Sequence, residues 1–292
     1  SAPPPSAGGV ALAQSLQMLE QLPWQKAEPV QRAHYVLEVL RRAYRDRGLL
    51  GDPDFVANPL PSLLAPDYLK RLAAGIDPRR ATPSSALPEA PAWREGDHTT
   101  HFAVIDAQGN AVAATLSVNL PFGAAFTVPG TGVLLNDEMD DFSAKPGVAN
   151  AFGVVGSDAN AIEPGKRMLS SMSPSIVTRD GKVSLVVGTP GGSRIFTSIF
   201  QVLNNIYDFH LPLEKAVAAQ RVHHQLLPKD TIYYDAYAPL AGKVAEELKA
   251  MGYTLEDQGW NMGDIQAIRV DGKALETASD PRGRGVGLVV KP

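Results

Sequence analysis

Asp97-His98-Thr99-Thr100-His101-Phe102 is the stretch on which the reading of this chain turns. Residues 82–91, just before it, are rich in proline, and strand-like sequence begins at it. Two readings of Thr99 stand side by side. In one, Thr99 and Thr100 are β-branched residues that open a strand. In the other, the backbone is cut between His98 and Thr99, and Thr99 becomes an N-terminal nucleophile. A free N-terminal threonine has a hydroxyl to attack with and an α-amine, of pKa roughly 8, to act as its base. The tripeptide by itself favours the first reading, so its surroundings carry the second.

Downstream, residues 99–106 and 110–119 alternate like strands around the turn Ala107-Gln108-Gly109. A hairpin there sets Thr99 opposite residues 117–119, with Ser117 and Asn119 on one face. Residues 102–105 are apolar at every position, which predicts a sheet covered on both sides. A long irregular region, 120–171, follows and contains Asp137-Glu138-Met139-Asp140-Asp141. Glu138 and Asp141, three residues apart, converge on a cation in one reading and belong to a solvated loop in the other. No suitably spaced histidine joins them, so no metal is assigned. Residues 174–178 and 182–189 form a second hairpin about Asp180-Gly181. It leads through Pro190-Gly191-Gly192-Ser193-Arg194 into a helix, 195–207, with Ile195, Ile199, Val202 and Ile206 on its buried stripe. Two glycines between strand and helix make either a tight turn or a set of backbone N–H groups open to a ligand atom. With Thr99 as nucleophile, the second reading is an oxyanion site. His223-His224 are adjacent on a strand, face opposite ways and are read as structural.

Upstream, helices are expected at 10–22, from Pro29 to Gly48, and at 66–74. Arg41, Arg42, Arg45 and Arg47 fall toward the end of the second, where cations complement the helix dipole. Residues 77–98 have four prolines and little periodicity, and read as an exposed, mobile connection. Farther on, a short helix near 213–219, a strand at 231–234, a helix at 240–251 and strands at 265–270 and 274–278 complete an α+β pattern. The 292 residues, 44% apolar and 20% charged, describe an ordinary globular chain. A formal charge of −4 gives no sign of a nucleic-acid or membrane surface, and the absence of cysteine excludes disulfides and a thiol nucleophile. No run approaches the ~20 apolar residues of a membrane span. Ser1-Ala2-Pro3-Pro4-Pro5 is no signal peptide and reads as the middle of a longer unit.

Taken together, the motifs resemble the γ-glutamyltranspeptidase (glutathione hydrolase) family. They are Thr99-Thr100-His101-Phe102, Asn110-Ala111-Val112, Pro129-Gly130-Thr131-Gly132, the run from Asn136 to Ser143, Lys145-Pro146-Gly147, Ser170-Ser171-Met172-Ser173-Pro174 and Pro190-Gly191-Gly192-Ser193-Arg194. Pro3-Pro4-Pro5-Ser6 and Gly51-Asp52-Pro53 resemble segments of that family's large subunit. The resemblance implies an N-terminal-nucleophile hydrolase with a four-layer αββα sandwich. It implies that residues 1–98 are the C-terminal portion of a large subunit, and that residues 99–292 are a small catalytic subunit released by self-cleavage at His98-Thr99. Thr99 is then the nucleophile, oriented by Ser117, which stands where the family usually has threonine. Asn119, Glu138 and Asp141 hold a substrate α-ammonium, Ser170 and Ser171 its α-carboxylate, and the N–H groups of Gly191 and Gly192 the oxyanion. The implied substrate is glutathione or another γ-glutamyl compound, with water or an amino acid or peptide as acceptor and no cofactor. The implied partner is the rest of the large subunit, including a carboxylate-binding arginine that no residue here matches. Phe152 falls in a segment resembling the family's lid, where some relatives have tyrosine. The implied compartment is periplasmic or secreted. A related glutaryl or cephalosporin acylase, and an unprocessed chain with a binding or assembly role, are the alternatives.

Overall fold

The computed structural model describes residues 2, 7–85, 99–259, 261–272 and 274–290. Helices α1 (Ala7–Leu19), α2 (Pro29–Arg47), α3 (Leu60–Leu63) and α4 (Pro66–Ala74) come first. The β-rich remainder begins at Thr99, with β1 (Thr99–Ile105), β2 (Ala111–Ser117), β3 (Ser175–Arg179), β4 (Lys182–Gly188), α5 (Ile195–Tyr207) and α6 (Leu213–Ala218). It closes with β5 (Val222–His223), β6 (Thr231–Tyr234), α7 (Gly242–Ala250), β7 (Thr254–Asp257), β8 (Gln266–Asp271) and β9 (Ala274–Ser279). They form a two-stranded ribbon β1-β2, a sheet β3-β4-β8-β9 and a sheet β5-β6-β7.

Turn chemistry sets the registers. Asp106 Oδ1 accepts from the backbone N–H groups of Gln108 and Asn110, its carbonyl accepts from Gly109, and Gly109 has φ +86°. This turn leaves Thr99 opposite Ser117, as the hairpin expectation requires. In the next hairpin Asp180 and Gly181 both take positive φ, +51° and +75°, the primed-turn geometry that matches strand twist.

The four-stranded sheet sits at the centre. Leu185 and Val187 of β4 pack with α1, α2 and α5 in one core. Gly188 faces the other way, against the ring of His101 on the ribbon, and a Cβ there would overlap that ring. The result is a ribbon, a sheet and a helical layer. Helix α5 is buried nearly all round, its polar Thr197, Ser198, Gln201 and Asn204 included.

Four expectations are corrected. The ribbon is covered on one face only: Phe102 and Val104 of β1 and Val112 and Leu116 of β2 are exposed, because nothing among the described residues packs on that side. Residues 81–84 are not a loose linker. Thr82 donates through its N–H and Oγ1 to Glu38, Ser84 donates to Asp230, and Ala81 and Ser84 are buried. The arginines ending α2 do not merely complement its dipole. Arg41, Arg42 and Arg47 are buried, the first two paired with Glu38 and, for Arg41, also with Asp230. Finally, α1 begins three residues before the expected start, and β7 was not anticipated. His98 and the rest of 86–98 lie outside the described residues, as do Pro3-Pro4-Pro5-Ser6.

Candidate active site

A narrow cleft is lined by Thr99, Ser117, Asn119, Glu138, Asp141, Phe152, Ser170, Ser171, Met172, Gly192 and Ile195. Residues far apart in sequence meet there, and most of the expected site residues are among them. Of the two glycines, Gly192 lines the cleft and Gly191 does not.

Thr99 opens β1, and its Oγ1 lies 3.0 Å from Oγ of Ser117 across the ribbon. Ser117 Oγ also accepts from the backbone N–H of Asn119, at 2.9 Å. Asn119 takes φ +72°, a left-handed conformation that asparagine tolerates better than most residues, and turns the chain off the strand end. Its side chain donates to the carbonyl of Asp137, and Asp137 Oδ1 accepts from Leu120. These bonds bring the acidic run to the ribbon's end.

The short helical turn Glu138–Asp141 presents both acids to the cleft. Asn160 links the acids to the serines: it donates to the Asp141 carbonyl at 2.7 Å and accepts from the Leu169 N–H at 3.0 Å. Burial raises the Glu138 carboxyl above its ordinary range, and a hydrogen bond from Ser117 pulls it partway back. Glu138 Oε1 is buried with no partner among the described residues. Asp141 is pushed up to about 7, chiefly by burial; Arg47 opposes the rise, and Glu138, Asp140 and Asp137 add to it. Two neighbouring carboxylates short of positive charge make a receptor for a small cation. Among the described residues no three His, Cys, Asp or Glu converge as a metal site. His223 and His224 are fully buried and hydrogen-bonded within the core, as expected of structural residues.

The glycine turn forms the opposite wall. Gly191 and Gly192 have φ +131° and +50°, and the Gly191 carbonyl accepts from Arg194 N–H at 2.8 Å. Phe152 packs on Gly192, held by Gln225, which donates to its carbonyl and in turn accepts from Ser193 Oγ. A Cβ on Gly192 would overlap the Phe152 ring. Gly192→Ala therefore combines a left-handed alanine with a steric clash. It is expected to destabilise by about 1–3 kcal/mol, read as a lower thermal midpoint.

Sequence reasoning missed two residues beneath this cleft. Tyr44 donates to the Ser193 carbonyl, and Arg47 donates to Ser171 Oγ. The only signal was that both lie on the last turn of a helix rich in arginine.

A strand-opening threonine, paired with a second hydroxyl and facing a glycine turn, is the arrangement of the N-terminal-nucleophile hydrolases. Comparison with known proteins narrows the class. The sequence profile of the gamma-glutamyltranspeptidase family matches residues 1–290, and the chain belongs to that family. It is 71% identical to the glutathione hydrolase proenzyme of Pseudomonas aeruginosa, over all of this chain and 53% of that protein. It thus spans about half the length of the curated relatives it matches. A solved gamma-glutamyltranspeptidase chain from Pseudomonas nitroreducens, complexed with L-DON, is 86% identical, with a TM-score of 0.65, over 66% of this chain and 100% of that one. A cephalosporin acylase from Bacillus halodurans shares the fold, with a TM-score of 0.76 at 22% identity, over 96% of this chain and 48% of its own.

Proposed function

We propose that the protein containing this chain hydrolyses and transfers γ-glutamyl groups through Thr99. The observation that carries the reading is one cleft holding a paired threonine hydroxyl, two cation-seeking carboxylates, two serines and a glycine turn. An α-amino acid headgroup has the complementary charges. Its ammonium fits Asn119, Glu138 and Asp141, and its carboxylate fits Ser170 and Ser171. Its γ-amide then reaches Thr99.

In this reading the chain first cuts itself between His98 and Thr99. The Thr99 hydroxyl adds to the His98 carbonyl, the peptide bond shifts to an ester, and water releases residues 1–98. The solved chain matched over its full length corresponds to two thirds of this sequence, the share that follows His98, which supports the division. In turnover the freed α-amine takes the Thr99 hydroxyl proton as Oγ1 bonds to the γ-carbonyl carbon. N–H groups of Gly191 and Gly192 stabilise the oxyanion. The C–N bond breaks, the leaving amine takes the proton, and water or an acceptor amine resolves the γ-glutamyl ester. No cofactor enters these steps.

The exposed apolar face of the ribbon supports a fourth, helical layer from the rest of the large subunit, completing an αββα sandwich. That part would also bring the arginine for the substrate carboxylate. Among the described residues no helix is long and apolar enough to cross a membrane, and the family habit favours a periplasmic or secreted enzyme.

Denaturing intact-mass spectrometry of the full-length protein, followed by a γ-glutamyl anilide assay, tests the reading. Two fragments divided at His98-Thr99 and release of the aniline are expected. One uncut, inactive species overturns it. Preference for a glutaryl anilide would move the assignment to an acylase, a reading that Glu138 and Asp141 disfavour because a glutaryl group has no ammonium.

A further inference from the structure

We propose that Arg47, which does not line the cleft, is a positioning residue for it. It holds Ser171 in place and lends its positive charge to Asp141, which lines the same cleft as Ser171.

Arg47 ends α2, where a cation usually extends into solvent along the helix axis. Here it is buried. One nitrogen, Nη2, donates to the Leu169 carbonyl and to Ser171 Oγ, both at 3.1 Å. Both partners are neutral, and Nε is buried without a partner among the described residues. The other buried arginines of α2 differ: Arg41 and Arg42 each contact the Glu38 carboxylate. A guanidinium held in the interior on neutral acceptors is costly to the fold. Such a cost persists where the charge acts on something else.

Ser171, to which Arg47 is hydrogen-bonded, lines one cleft with Asp141. Attraction to Asp141 offsets part of the burial cost of Arg47, and Arg47 in turn favours the ionised form of Asp141. The other groups acting on Asp141 are the acids Glu138, Asp140 and Asp137, all opposing its ionisation. One residue thus serves both ends of a zwitterionic headgroup, steadying the serine of the carboxylate end and the acid of the ammonium end. The α2 terminus is well anchored for this. Asp46 accepts from Gln14 and Tyr68, and Tyr44 braces the Ser193 carbonyl beside the glycine turn. In the proposed division, α2 belongs to the piece upstream of the cut, so that piece would shape the cleft from below.

The inference rests on the γ-glutamyl reading, and the test separates the two. Full-length wild-type, Arg47→Met and Arg47→Lys proteins are assayed with a γ-glutamyl anilide across pH, with cleavage at His98-Thr99 followed by mass. Arg47→Met is expected to raise KM about tenfold with a smaller loss in kcat, as for removal of a charge-assisted support. It should also move the acid limb of kcat/KM to higher pH. Arg47→Lys, which keeps the charge on a shorter side chain that falls short of Ser171, should raise KM while leaving that limb in place. Wild type inactive on the anilide overturns the γ-glutamyl reading, and the role of Arg47 falls with it. Wild type active, with Arg47→Met matching it in KM and pH limb, overturns the positioning role alone. If neither variant is cleaved, Arg47 serves folding and the proposal is overturned.

Discussion

Thr99→Ala, made in the full-length protein, is expected to remain one uncut species and to hydrolyse no γ-glutamyl anilide above background. Loss of the hydroxyl removes the nucleophile for self-cleavage, and without cleavage no α-amine is freed. Both functions of the residue vanish together. Removing the nucleophile of a serine hydrolase costs on the order of 10⁶ in kcat, and a similar loss is expected here. Thr99→Ser keeps a hydroxyl 3.0 Å or so from Ser117, the distance of the native pair, and should still cleave. A fully processed Thr99→Ala protein would place the nucleophile elsewhere.

The second large effect concerns Asp141. Asp141→Asn should lower kcat/KM for a γ-glutamyl anilide by about 10²–10³, the usual consequence of removing one partner of a desolvated charge pair. The same change should stabilise the unliganded protein. The folded-state pKa of Asp141 is about 7, above its ordinary 3.8, so the folded protein holds this proton more tightly than the unfolded chain. Its destabilising effect is absent below pH 3.8, grows as pH rises and is complete above pH 7. At full ionisation the penalty is on the order of 4 kcal/mol. Denaturant titrations at pH 4 and pH 8 should therefore show the variant gaining on wild type only at the higher pH. Equal stability at both would place Asp141 in a well-compensated site. Activity and stability here pull in opposite directions, as expected where a fold keeps a charge in reserve for a ligand.

Much of the site was legible because it is built from short-range pieces. Thr99 and Ser117 flank one hairpin whose turn, Asp106 to Asn110, carries its own register-setting hydrogen bonds. Strand period then puts the two hydroxyls together without tertiary information. The Asp180-Gly181 turn, the strand before the glycines and the helix after them follow from the same local rules. The roles of Glu138 and Asp141 were not local in this sense. As a run of acids they fit a solvated loop equally well, and the family resemblance made the choice.

By itself, then, the sequence determined the two hairpins, the pairing of the Thr99 and Ser117 hydroxyls, the glycine turn and most helix limits, because φ preferences, side-chain alternation and turn hydrogen bonds act within a few residues. Only the tertiary structure decided what lies under and around them. Arg47 reaches Ser171 across 124 positions, and Ser84 reaches Asp230 across 146. It is burial among distant segments that raises the carboxyls of Glu138 and Asp141. The outer face of the ribbon reads as buried in sequence and is bare among the described residues, because apolar residues record that a face is to be covered and not which segment covers it.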